Sequence, residues 1–299
     1  MGPTLGEALR LGLSGLGRER WLVAVALLTN LLRRALALPA LAVALLLLVR
    51  GAWRAHELSP AWAEAPLMGA AWAVTRPRAL ALLVGLAAVG GLLGWLVRLL
   101  LLAGALPTLA GAMSGPGGRT PRFATGVAWG LPRLLPTAVL ALALEWTGQL
   151  LAVGMLQASL AITEVASGSG RVALAAAVAG ALVLALLALL LTSAVAEAAL
   201  VRTAVRGDGP VEAVLQAASR VLARPAAYLL LASSFGLLSL VASVALQSVG
   251  GLASGITSRA PALMALGPGL MLSAAALAVA AALELWWLAS LTALTAREG

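Results

Sequence analysis

The chain has 299 residues, 62% of them hydrophobic and 10% charged, with a mean hydropathy of +1.03. A water-soluble globule is excluded, because a domain of this length cannot hide so much apolar surface in one core. The formal charge is +9, yet the arginines that carry it are scattered at the ends of apolar runs, which excludes nucleic acid as a partner; the absence of cysteine removes disulfides, thiol catalysis and thiolate metal sites.

In chain order, the first element is an amphipathic stretch, Thr4–Arg20. Leu5, Leu9, Leu13 and Leu16 share one face at helical spacing, and Thr4, Glu7, Arg10, Ser14 and Arg18 share the other. Glu7, Arg10, Arg18, Glu19 and Arg20 precede an apolar run too long for a signal sequence, so no cleavable leader is expected. Six runs then follow that are long enough to cross ~30 Å of hydrocarbon. They are Trp21–Val49, Leu80–Ala112, Leu134–Ile162, Val172–Val201, Ala226–Val249 and Ala262–Leu294. Arg33 and Arg34 inside the first run imply a tilt, a kink or a half-buried turn. The sixth contains Pro268, between Gly267 and Gly269, which allows the span itself to begin only after that point. Between the first two runs, the long outer loop Gly51–Ala79 carries Trp53, His56, Trp62 and Trp72, and it is expected to lie against the outer headgroups as a short helix.

Arginine placement orients the spans. With the N-terminus in the cytoplasm, eleven arginines fall on the cytoplasmic side and six on the other, four of the six (Arg50, Arg54, Arg76 and Arg78) in the first outer loop. That bias predicts both termini inside. Two further stretches are too polar to span and suit the headgroup plane. One is Arg122–Arg133, broken by Pro132. The other is Pro210–Arg224, with an apolar stripe of Val211, Val214, Leu215, Ala218, Val221 and Leu222 opposite Glu212, Gln216, Ser219 and Arg220. The expectation is an all-α polytopic bundle of six spans in a single transmembrane domain, 1–299. Within it, an interfacial helix followed by a helical hairpin recurs over 1–118, 119–208 and 209–299.

Ionisable residues inside the spans are the most informative feature. Arg33, Arg34, Arg98, Glu145 and Glu284 fall at similar depth at 1.5 Å per residue. An unpaired charge there costs at least ~2.5–3.5 kcal/mol, so the arginines are expected to pair with Glu145 or Glu284. Such a layer either fixes packing and register or lines a polar path. Among the small-residue motifs, Gly90-x-x-x-Gly94 is expected to be a packing face; Gly126-x-x-x-Gly130 and Gly251-x-x-x-Gly255 are matches that chance supplies in a chain with 32 glycines. His56, the single histidine, lacks the partners of a zinc site, and Asp208 in Gly207-Asp-Gly-Pro210 reads as a helix initiator. No nucleophile–base pair, nucleotide-binding loop or acidic metal cluster is present, so no cofactor and no catalytic residue is expected.

Arg206-Gly-Asp-Gly-Pro-Val-Glu-Ala, followed by Ala218-Ser-Arg-Val-Leu-Ala-Arg, resembles a broad bacterial group of six-span proteins similar to the membrane region of some glycerophosphodiester phosphodiesterases. Thr4-Leu-Gly-Glu-Ala-Leu-Arg is similar. The resemblance implies an inner-membrane bundle with interfacial helices and transfers no catalytic residue. The functional expectation is a non-enzymatic scaffold or accessory subunit that organises lipids, a membrane-protein partner or further copies of itself. The alternatives are a carrier whose path passes the Arg/Glu layer and, behind it, a lipid-active enzyme.

Overall fold

The computed structural model describes residues 4–58, 75–114, 122–165, 171–257 and 262–296. Regular structure among them is entirely helical: α1 Leu5–Arg18, α2 Trp21–Leu58, α3 Pro77–Met113, α4 Phe123–Val165, α5 Arg171–Arg206, α6 Pro210–Ala223, α7 Pro225–Thr257 and α8 Ala262–Ala296. Six of these, α2, α3, α4, α5, α7 and α8, are long and apolar enough to cross a membrane. The protein is therefore an all-helical, multi-pass membrane protein. Trp62, Trp72, Arg119, Arg259 and Arg297 lie outside the described residues.

Two compact units form, Leu27–Leu101 and the remainder, Met1–Ala26 with Leu102–Gly299. The smaller unit is the facing parts of α2 and α3. A Cβ built on Gly90 would lie 2.5 Å from the Leu36 carbonyl oxygen, so the two backbones approach as closely as only glycine permits. Gly94 is in looser contact, 3.8 Å from Arg33 Cγ.

In the larger unit α4 packs along α5, α1 on α8, α6 on α5 and α4, and α8 on α7 and α5. The core gathers at one end. Leu102–Leu106 of α3, Ala194–Thr203 of α5 and Leu288–Thr295 of α8 are buried without interruption. Elsewhere large residues such as Leu150, Leu184 and Leu240 are exposed, as helices solvated by lipid require. Several core hydroxyls are satisfied within the bundle: Thr137 and Thr203 share a 3.0 Å bond, and Thr292 and Thr295 donate to carbonyls one turn back, whereas the buried Ser290 Oγ has no hydrogen-bond partner.

Two expectations are corrected. First, α2 is one uninterrupted helix through Arg33, Arg34 and Pro39, and it extends to Leu58. Trp53, His56 and Glu57 therefore continue the first long helix rather than forming a separate short one in the outer loop. At ~1.5 Å per residue the helix outruns the hydrocarbon and carries its apolar span on beyond it. Second, Arg122–Arg133 is no separate helix: α4 runs unbroken from Phe123 through Pro132 and Pro136. Each proline removes one backbone donor, which a helix packed among neighbours in a membrane tolerates. In α8 the helix is continuous from Ala262 across Pro268, and the candidate span described within it is Ser273–Thr295.

Candidate functional site

The two short amphipathic helices show why the apolar stripe read from sequence is not the surface that packs. In α1, Thr4 is the N-cap. Its backbone N–H donates to Glu7 Oε2 at 2.8 Å, and the Glu7 N–H donates to Thr4 Oγ1 at 3.4 Å, a reciprocal capping box. The buried residues are Ala8, Gly12 and Gly15, not the leucines, and Leu13 is exposed. A Cβ on Gly12 would stand 2.8 Å from the Ser290 backbone nitrogen of α8, and one on Gly15 would stand 2.9 Å from Met113 Cγ. The helix is pinned by Arg18 Nη1 donating to the Ala112 carbonyl (2.6 Å) and by Trp286 Nε1 donating to the Leu9 carbonyl (3.1 Å).

In α6 the same design recurs. Ala213, Ala217 and Val221 are buried, while Val211, Leu215 and Leu222 are each more than 60% exposed. Glu212 in its first turn and Arg220 in its last complement the helix dipole. The start of α4 supplies a third small-residue pair. Cβ atoms on Gly126 and Gly130 would lie 2.9 and 3.3 Å from the Ala103 carbonyl of α3. Gly126-x-x-x-Gly130, read as a chance match, is thus a packing face. Its counterparts are Ala8/Gly12 and Ala213/Ala217, each pair set four residues apart and each four residues beyond the residue that precedes its helix. The hinge after each short helix also recurs: Glu19 (φ −113, ψ 50) donates to the Gly15 carbonyl, and Arg224 (φ −138, ψ 55) to that of Arg220.

Beside α6 lies a polar knot. The α5 helix ends at Gly207, whose φ of +73 is the left-handed conformation that closes a helix, with its N–H donating to the Thr203 carbonyl at 3.1 Å. That reversal turns Asp208 back onto Arg202, with Nη2 to Oδ2 at 2.5 Å. Arg202 is 4% exposed, and its Nε and Nη1 atoms have no hydrogen-bond partner. Arg206 and Arg220 both donate to the Thr295 carbonyl in the last turn of α8, at 3.2 and 3.0 Å, where cations favour the negative end of the helix. About two turns deeper, Trp287 Nε1 donates to the Glu197 carboxylate. Phe235 meets Trp286 and Trp287 edge-on at 4.9 and 5.6 Å. Sequence reading treated Asp208 as a helix starter alone. The available signal was Arg202 and Asp208 six residues apart across a glycine turn.

The in-span ionisable residues are distributed between the units. Arg33 (α2) and Arg98 (α3) belong to the smaller one and are half-buried, and Arg33 Nη1 lies 3.4 Å from Asn30 Oδ1. Arg34, the next residue along α2, is exposed. Glu145 (α4) and Glu284 (α8) belong to the larger unit and are also half-buried.

No family model, curated protein or solved structure matches the chain. Two short helices seat small-residue faces on the bundle, present bulky apolar side chains outward, and carry charge along their edges. That is the geometry of a helix lying at the boundary of headgroup and acyl chain.

Proposed function

We propose that the protein is a non-enzymatic scaffold of a bacterial inner membrane, with both termini in the cytoplasm, whose interfacial helices α1 and α6 organise surrounding lipid and a partner membrane protein. One observation carries this reading: the small residues of both helices face the bundle, so Leu13 on α1 and Val211, Leu215 and Leu222 on α6 are left for an apolar medium or partner outside it. A helix needing only to cover its own core would turn those large side chains inward. The reading keeps the resemblance to the membrane region of the phosphodiesterase-linked group as its family. It also keeps a threefold hairpin repeat, supported by the matching small-residue pairs and hinges.

Spin labels at Leu13 and Leu215, in the full chain reconstituted into phosphatidylethanolamine–phosphatidylglycerol vesicles, test it. Labels at acyl-boundary depth, accessible to lipid-soluble oxygen rather than to an aqueous relaxer, are expected. Labels freely exposed to water would overturn it. A second reading, a carrier, is favoured by Arg33, Arg98, Glu145 and Glu284, half-buried ionisable groups inside candidate spans. Proteoliposomes that pass ions or small anions faster than protein-free vesicles, with the flux abolished by Glu145→Gln, would establish it in place of the scaffold.

A further inference from the structure

Orientation by positive charge accounts for most arginines in this chain but not for Arg50, Arg54, Arg76 and Arg78, which crowd the interval between the first two apolar runs. Three of the four come together. Arg50 stands near the end of the apolar part of α2, and Arg76 and Arg78 flank Pro77, the first residue of α3. With Leu47 and Thr75 they line an open cleft of ≈ 700 Å³. Its described lining holds three guanidinium groups. The first turn of α3 carries no acidic side chain, so the positive end of that helix adds to the same field.

Depth adds a second constraint. The apolar span of α2 ends at Gly51 and that of α3 begins at Pro77. The cleft therefore lies where hydrocarbon gives way to headgroups. On its apolar flank Leu46, Val49 and Leu80 are exposed. Guanidinium forks match the oxygens of a tetrahedral anion in pairs, and a site assembled from three of them, with apolar surface adjoining, suits a phosphate ester better than a carboxylate or a halide.

We propose that this cleft is a binding site for a phosphate-bearing anion, supplied by a phospholipid headgroup or by a soluble phosphate. Its residues are distinct from those of the α1 and α6 surfaces, so the site stands or falls independently of the scaffold reading. The test uses the full chain in neutral detergent, titrated with fluorescent phosphatidylglycerol and, separately, with fluorescent phosphatidylcholine. Competition by sodium phosphate is measured against sodium chloride at matched ionic strength. Phosphatidylglycerol should bind more tightly than phosphatidylcholine. The triple variant Arg50→Gln/Arg76→Gln/Arg78→Gln should lose at least about tenfold in affinity, since each hydrogen bond to a charged group is worth about a decade. Arg122→Gln, an exposed arginine on α4's N-terminal flank, should bind as the parent does. Labelled lipid that inorganic phosphate does not displace identifies the headgroup as the ligand; displacement by phosphate but not chloride identifies the soluble anion. Equal binding of the two lipids without phosphate competition, or a triple variant that binds like the parent, would overturn the proposal. If the triple variant loses helicity or aggregates, Arg76→Gln/Arg78→Gln is read by the same criteria, with Arg76→Lys/Arg78→Lys expected to recover part of the affinity.

Discussion

Replacing Gly12 tests whether α1 is seated on the bundle through its small face. A Cβ there would lie 2.6 Å from Ser290 Oγ, 2.8 Å from its backbone nitrogen and 3.1 Å from its Cα. Ordinary contact for a carbon is roughly 3.5–4.0 Å, so α1 must retreat by about 1 Å, and a gap of that size forfeits a quarter to a half of the dispersion energy along the seam. Overpacking of this kind costs about 1–3 kcal/mol, against which helix propensity gained on losing a glycine offsets up to ~1 kcal/mol. Gly12→Ala is thus expected to be mildly destabilising, and Gly12→Leu, with three more carbons in the same place, to lose ~2–3 kcal/mol. The same helix holds its own controls: Gly6 and Gly17 meet nothing within 4 Å, so alanine there should stabilise by a few tenths to ~1 kcal/mol. The assay is equilibrium unfolding in mixed micelles followed by tryptophan fluorescence. Trp286 reports locally, because its indole N–H is bonded to the Leu9 carbonyl of α1. Should Gly12→Leu unfold at the parental midpoint with unshifted emission, the seating of α1 described above is wrong.

Further outcomes follow from the other contacts. Asp208→Asn leaves the Arg202 guanidinium buried without its counter-charge and should cost roughly 3 kcal/mol in the same unfolding assay, the 18% exposure of Asp208 keeping the loss at the lower end for a buried pair. Arg202→Met combined with Asp208→Asn should recover most of that loss. Glu197→Ala removes the acceptor of the Trp287 N–H and should cost about 1–3 kcal/mol with a shift in emission, whereas Glu197→Gln retains an acceptor oxygen and should cost less. Gly90→Leu should separate α2 from α3, read as reduced yield of a disulfide engineered between them, while Gly94→Ala, at ordinary contact distance, should leave that yield unchanged. Glu145→Gln should lower the melting temperature more than Glu57→Gln, since Glu145 is half-buried within a span.

Composition and period were enough to establish the class of molecule and the number of spans. Runs of twenty or more apolar residues have one stable outcome in a bilayer, a helix that satisfies its own backbone, so α2, α3, α4, α5, α7 and α8 were legible along the chain. The start of α6 was legible too, because Pro210 and Glu212 act through residues within one turn. Which face of α1 and α6 meets the bundle was not. In lipid the large apolar residues are content outside, and close approach of backbones decides packing, so Ala8, Gly12, Ala213 and Ala217 took the inner positions that a rule learned from water assigns to leucine and valine. The same reason made Gly126 and Gly130 look accidental until Ala103 was found against them. The cleft of Arg50, Arg76 and Arg78 likewise belongs to the tertiary structure, because it joins residues more than twenty positions apart, a distance that no local pattern encodes, whereas the Arg202–Asp208 pair closes across a local glycine turn.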